Sequence, residues 1–230
     1  MKFGSPRIHH RRTGSTNAQA RTLAHAGAPH GTLVTAAEQT AGRGREGRRW
    51  LAPPGSALLC SLVLRDVPSL LSLRAGVAVA GALGADALLK WPNDVLIDGR
   101  KVSGILVESR PREAWAVLGI GINVAVSLAE LPEELRETAG TLGLDVSAIE
   151  PLLERLLETL DGWLGRPQRE VRSAWQSRDA LAGARVAWDG GEGIARGVDE
   201  EGRLLVDTGD RVQALNAGEV RLKSPPATSA

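Results

Sequence analysis

Lys90-Trp91-Pro92-Asn93-Asp94-Val95-Leu96-Ile97-Asp98-Gly99-Arg100-Lys101-Val102-Ser103-Gly104-Ile105-Leu106 reads as a strand, a stop and a tight hairpin. Leu88 to Trp91 is strand-like and ends at Pro92, because proline has no N–H to offer a ladder. Val95 to Val102 forms the hairpin. Its two apolar runs flank Asp98-Gly99, a pair suited to the left-handed conformations of a two-residue turn. Gly104 to Glu108 continues the return strand. Taken singly, Pro-Asn-Asp is ordinary turn chemistry, and lysines at hairpin ends are usually exposed. The spacing carries more. It brings Asp94 and Lys101 near one another across the ladder, roughly opposite by register. A carboxylate beside a lysine on rigid strands suits magnesium–nucleotide chemistry.

Outward from this hairpin the chain alternates strands and helices. Leu33 to Ala37 and the apolar run Ala57 to Leu64 are strands, and Leu70 to Leu83 is a buried helix. Trp115 to Val124 is a strand carrying Gly119 and Gly121, which mark close approach of a ligand or another backbone. Thr16 to Ala26 is a helix capped by Ser15 or Thr16. Leu152 to Leu164 is an amphipathic helix, with Ser147 and Glu150 at capping-box spacing, and Glu170 to Arg178 is a second helix. From Gly183 the pattern changes to short strands, Ala184–Trp188, Gly193–Val198, Leu204–Val206 and Val212–Leu215, spaced as in a small SH3-like barrel. The expected organisation is a main domain over residues 1–182, a barrel over 183–223 and a disordered tail over 224–230.

Composition bounds the function. The chain has 230 residues, 43% of them hydrophobic, enough for one packed domain and a small satellite. Lys and Arg number 28 against 27 Asp and Glu, a net charge of +1 that gives no global argument for binding nucleic acid or an anionic membrane. The lone Cys60 cannot form an internal disulfide and reads as a small buried hydrophobe. No stretch has the apolar core of a signal peptide or reaches membrane-spanning length, so the expected compartment is the cytoplasm.

Two further segments carry chemistry. Gly42-Arg43-Gly44-Arg45-Glu46-Gly47-Arg48-Arg49 is Gly-rich, basic and without a regular period. By itself such a loop is usually a solvated surface or a nucleic-acid contact. Its glycines let backbone N–H groups converge on an anion, and its four arginines supply fixed positive charge. It should be mobile when empty and order around a phosphate or carboxylate. It lacks the Lys-Ser/Thr ending of a P-loop. Gly14-Ser15-Thr16-Asn17 at a helix start is ordinary capping chemistry. Its hydroxyls and N–H groups also suit a small polar head such as a ureido group.

In this order the segments resemble the biotin protein ligases. The resemblance rests on Gly14-Ser15-Thr16-Asn17, then Glu38-Gln39-Thr40-Ala41 leading into the basic loop and Trp50, then Lys90 to Asp94. It continues through Arg100 to Glu108, Gly119-Ile120-Gly121-Ile122-Asn123 and Gly218-Glu219-Val220, spanning about residues 8 to 222. The pairing of the Gly-Arg-Gly-Arg loop with Lys-Trp-Pro-Asn-Asp makes it specific. Gly14 departs from the pattern, since an acidic residue often stands there. The resemblance implies a mixed α/β sheet with flanking helices, of the class II aminoacyl-tRNA synthetase-like type, followed by the SH3-like barrel.

The resemblance also implies residue roles. Biotin would be held by Ser15, Thr16, Asn17, Gln39, Gly42, Arg43, Gly44, Arg45 and Lys101, with Gly104 and Gly119 lining its pocket where a side chain would clash. ATP and the adenylate would meet Arg45, Arg48, Trp50, Asn93, Asp94, Lys101 and Asn123, with Asp94 near Mg²⁺. Lys101, Arg45 and Arg43 would be catalytic. Trp50 packs the loop in this reading, or simply the core. The implied partner is the biotin carboxyl carrier domain of a carboxylase, acetyl-CoA carboxylase first among them, and a homodimer is compatible. Many relatives carry an N-terminal winged-helix domain. With Ser-Thr-Asn beginning at residue 15 there is no room for one, so no DNA binding is expected, and no membrane association.

The implied chemistry is adenylation of the biotin carboxylate by MgATP, then attack by a carrier lysine. Two anions must meet, so preorganised charge from Arg43, Arg45, Lys101 and Mg²⁺ offsets the main barrier. No acid or base is required: His9, His10, His25 and His30 all precede the basic loop and form no triad. A lipoate ligase or octanoyl transferase shares the implied fold, but the Gly-Arg-Gly-Arg loop argues against it. A nucleic-acid-binding module would need a broad basic face, which a net charge of +1 does not suggest.

Overall fold

The computed structural model describes residues 3–109, 114–216, 218 and 220–222. The expected tail over 224–230 and the Glu219 of the Gly-Glu-Val segment lie outside them. A seven-stranded sheet contains β1 (Arg7–His10), β2 (Leu33–Ala36), β3 (Ala57–Leu64), β4 (Leu88–Lys90), β5 (Asp94–Ile97), β6 (Arg100–Ser109) and β7 (Ala116–Asn123). Its order is β1-β2-β3-β7-β6-β5-β4. Only the β1–β2 pair is parallel; the others are antiparallel.

Strand alternation gives this sheet two different faces. On β3, Leu58, Cys60, Leu62 and Leu64 join the large core beneath α2 (Leu71–Leu83) and α4 (Ile149–Leu164), between which the short α3 (Glu133–Arg136) falls in sequence. The alternate residues Ala57, Leu59, Ser61 and Val63 face the other way. Val63 packs with Val34, Val117 and Ala20 of α1 (Thr16–His25). Ala57 and Leu59 pack with Val126 and Leu131. Ser61, between these two small clusters, is a polar side chain with no exposure. Burial pushes the Cys60 thiol up to about 12, which leaves it an inert packing residue.

A second sheet, antiparallel throughout, holds β8 (Arg185–Trp188), β9 (Gly191–Val198), β10 (Leu204–Asp207), β11 (Val212–Leu215) and β12 (Arg221–Leu222) in the order β11-β10-β9-β8-β12. Val186, Ala195, Leu204 and Val206 belong to the same buried cluster as the large core. The indole N–H of Trp91 donates to the Gly202 carbonyl at 3.0 Å. Leu89 exchanges backbone hydrogen bonds with Arg178 and Ala180. Among the described residues no helix is long and apolar enough to cross a membrane.

Several local expectations change. Strand β1 has too little apolar pattern to be read in advance and is held by pairing with β2. The capping box at Ser147 and Glu150 does not form. Asp145 instead accepts the Ser147 N–H at 2.9 Å and caps a short 3₁₀ turn that runs into α4. Glu150 pairs with Arg7 across the fold. The last helix, α5 (Gln168–Gln176), starts two residues early, directly after Pro167, which suits a helix N-terminus.

Candidate active site

A cavity of about 410 Å³ opens on the sheet face that carries Ser61. Its floor is a hydrogen-bonded polar strip. Ser15, Thr16, Asn17 and Ser61 are all nearly inaccessible. Ser61 Oγ lies 2.6 Å from Asn17 Oδ1 and 2.8 Å from Thr16 Oγ1. Ser15 has the extended backbone of an N-cap, yet its side chain makes no cap bond. Gln39 does that work from another element: its Oε1 accepts from the Thr16 N–H at 2.7 Å and from Thr16 Oγ1 at 3.0 Å. Gln39 therefore ties the approach to the basic loop to the start of α1.

Two glycines on β7 let other side chains lie against the sheet. A Cβ at Gly119 would fall 2.0 Å from Asn17 Oδ1, and one at Gly121 would fall 2.6 Å from the Trp50 ring. On the neighbouring strand, a Cβ at Gly104 would meet the same indole at 2.9 Å. The Trp50 ring thus covers bare backbone, and its Nε1 is buried with no hydrogen-bond partner.

The hairpin supplies the opposing charge. Asp98 and Gly99 have φ of 51° and 72°, the left-handed pair of a two-residue turn. Ile97 faces Arg100 and Leu96 faces Lys101. Between Val95 and Leu96 the register slips, leaving Val102 as an extra residue on β6. Asp94 consequently sits opposite Gly104, and Lys101 is its diagonal neighbour rather than its opposite. The two still meet: Lys101 Nζ forms an ion pair with Asp94 Oδ1 at 2.6 Å. The Lys101 backbone is clamped from the other side by Thr138 O and Gly140 N–H. Asn93 Nδ2 donates to the Ile105 carbonyl, while the Ile105 N–H returns to Asn93 O, both at 2.9 Å.

The basic loop is more regular than its composition suggests. Arg43 and Arg49 form a β-bridge, Gly44 N–H bonds Arg48 O, and Trp50 N–H bonds Gly42 O, which closes a small hairpin around a 3₁₀ turn at Arg45–Gly47. Glu46 and Gly47 take positive φ at its tip. Arg43, Gly44, Arg45, Arg48 and Trp50 reach the cavity wall.

Of the residues singled out in the sequence, Ser15, Thr16, Asn17, Gln39, Asn93, Asp94, Lys101, Gly104 and Gly119 line the same cavity. Gly42 and Asn123 do not. Gly42 is buried where a Cβ would meet the Trp50 carbonyl at 2.4 Å. Asn123 is buried with Nδ2 donating to the Gly140 carbonyl at 2.8 Å and Oδ1 without a partner. Ser61, Gly121, Glu137 and Thr138 belong to the site or its wall and were not assigned from sequence. Ser61 had a legible sign, a lone hydroxyl inside an apolar strand. Glu137 and Thr138 had none, because they arrive from a segment with no motif. Among the described residues no group of three His, Cys, Asp or Glu could hold a metal.

A strand-borne lysine, bare glycines on β6 and β7 and an arginine hairpin around one cavity suit the binding of an acid beside a nucleotide. Residues 10–124 match the family model of the biotin/lipoate A/B protein ligase family, and residues 185–223 match that of the biotin protein ligase C terminal domain. The biotin–[acetyl-CoA-carboxylase] ligase of Mycobacterium tuberculosis is 38% identical, with 90% of this chain and 85% of that one covered. The enzyme of the same name from Paracoccus denitrificans is 35% identical over 91% of this chain and 97% of its own. The biotin protein ligase of Aquifex aeolicus, solved in complex with biotin and ATP, superposes with a TM-score of 0.78 at 30% identity, covering 96% of this chain and all of that one. The chain belongs to the biotin/lipoate A/B protein ligase family, among its biotin protein ligases.

Proposed function

We propose that the protein joins the biotin carboxylate to the α-phosphate of ATP, expels pyrophosphate, and passes biotin from the adenylate to a lysine of a biotin carboxyl carrier domain, with acetyl-CoA carboxylase as the first candidate. The carrying observation is one cavity with the Lys101 ammonium on its strand side and Arg43 and Arg45 on its loop side. Two anions brought together between fixed cations lose most of their mutual repulsion, and the cations need no reorganisation during reaction.

In this reading the biotin head lies on the strip of Ser15, Thr16, Asn17 and Gln39, with Gly119 beneath and the hairpin from Gly42 to Arg45 above. Lys101 meets the carboxylate and the α-phosphate. Arg45, Arg48, Trp50, Asn93 and Asp94 form the nucleotide side. Asn123 does not reach the cavity and would act on that side through Gly140, whose carbonyl it holds and whose N–H bonds the Lys101 carbonyl, while the orphaned Trp50 N–H suits a ligand acceptor. The donor set fits Mg²⁺ delivered by the nucleotide rather than by a protein cage. Asp94, which lines the cavity beside Lys101, would be its one carboxylate ligand, alongside phosphate oxygens. When bound, the ion would neutralise phosphate charge. The hairpin from Gly42 to Arg49 would screen the adenylate from water until a carrier lysine attacks.

The test is direct. The protein is incubated with biotin, MgATP and a carrier domain, and the carrier is weighed by mass spectrometry. The expected result is the mass of one biotinyl group added through an amide. Exchange of pyrophosphate into ATP that responds to lipoate or octanoate but not to biotin would overturn this reading.

A further inference from the structure

Glu108 has no role in the reading above, although it stands on the strand that carries Lys101 and Gly104. It does not line the cavity. Its carboxylate nevertheless touches both halves of the site. Oε2 accepts from Asn17 Nδ2 at 2.8 Å. Oε1 accepts from Arg21 Nη1 at 3.4 Å and lies 3.7 Å from Arg43 Nη1. The side chain is about a quarter exposed, so these contacts are partly sheltered from water.

We propose that Glu108 is a positioning residue that fixes the Asn17 amide on the floor and tethers the arginine hairpin through Arg43. An ionised carboxylate can only accept hydrogen bonds, and so can the Leu106 carbonyl, which Asn17 Nδ2 also approaches at 3.4 Å. Two acceptors on one side force the amide nitrogen toward β6. The Asn17 oxygen is thereby turned to Ser61 and held over Gly119, where no side chain could coexist with it. A second consequence follows from Arg43. The hairpin that covers the cavity meets the strand that floors it through this carboxylate, which Arg21 holds from helix α1, as well as through the Trp50 ring on Gly104. Glu108 therefore shapes biotin binding and loop closure while touching neither biotin nor the reacting atoms.

This inference rests on the biotin reading for one of its two readouts only. Glu108→Ala removes all three contacts, those to Asn17, Arg21 and Arg43. Glu108→Gln can still present an oxygen to Asn17, but then turns an amide NH₂ toward Arg21 and Arg43. The wild-type protein and both variants are compared in biotin-dependent pyrophosphate exchange, and in trypsin cleavage of the hairpin without ligands, with thermal unfolding as the check on folding. In Glu108→Ala, the KM for biotin should rise at least tenfold with kcat changed less than threefold, and hairpin cleavage should speed up several-fold. In Glu108→Gln, cleavage should speed up equally while KM rises less. Unchanged cleavage in a folded Glu108→Gln variant would overturn the tether. A fall in kcat with unchanged KM in either variant would overturn the positioning role and mark Glu108 as a group acting on the reacting atoms. A wild-type protein with no biotin-dependent exchange counts against the biotin reading and leaves the cleavage comparison to judge the tether.

Discussion

Lys101 is fixed at both ends. Its backbone is clamped by Thr138 and Gly140, and its ammonium meets Asp94 at 2.6 Å with the Trp50 ring centroid 5.8 Å away. Truncation to alanine removes the charge without disturbing the ladder. Lys101→Ala should fold normally and lose about 10²–10³ of its adenylation rate; near-normal pyrophosphate release from the folded variant would contradict its role. Gly121 makes the complementary case. A methyl group there would fall 2.6 Å from the indole of Trp50, so the ring must leave the floor. In Gly121→Ala the tryptophan emission should shift, and ATP–pyrophosphate exchange should fall at least tenfold. A variant with wild-type exchange would show that the ring need not lie there.

At the scale of the element, the hairpin from β5 to β6 decides the site. Its Asp98-Gly99 turn alone sets Lys101 opposite Leu96 and so on the same face as Asp94, two residues away. Continued without irregularity, that register would put Ser103 opposite Asp94 and turn Gly104 to the far face. The extra residue Val102 brings Gly104 over instead, and with it the bare backbone on which Trp50 lies. Inserting one alanine between Val95 and Leu96 would give Val102 a partner and remove the bulge. Lys101 should then turn away from Asp94 and Gly104, and adenylation should fall as far as in Lys101→Ala while cooperative unfolding persists. Full activity in the insertion variant would show that the bulge is incidental.

At the scale of the whole molecule, the two sheets share one core, and the junction carries an unusual acid. Asp179 follows α5 where Arg178 and Ala180 pair with Leu89 of β4. Its Oδ1 accepts the Leu181 N–H, but its Oδ2 is buried without a partner. Burial raises its carboxyl from 3.8 to about 6, against the smaller opposing pull of the Leu181 N–H. The sign follows from proton binding. Below about pH 4 the group is neutral folded or unfolded; between about pH 4 and 6 the unfolded chain ionises first, so stability falls as pH rises. Above pH 6 the full cost remains, up to about 3 kcal/mol. Asp179→Asn keeps the acceptor for Leu181 and should raise Tm at pH 7.5, with the gain vanishing at pH 4. An equal gain at both pH values would rule out ionisation as its cause. The sequence by itself determined most elements and the chemical kinds at the site, because strand alternation, the Asp-Gly turn and the clustered glycines and arginines are local signals. It gave Ser61 away only as a hydroxyl in an apolar strand, and it misread Ser147–Glu150 as a cap. Only the tertiary structure decided the bulge at Val102, the capping of α1 by Gln39, the Trp50 ring on Gly104 and Gly121, and the reach of Glu108 to Asn17 and Arg43. Each of these joins residues distant in sequence or depends on a one-residue slip in pairing, and such contacts are chosen by packing across the whole fold rather than by any local preference.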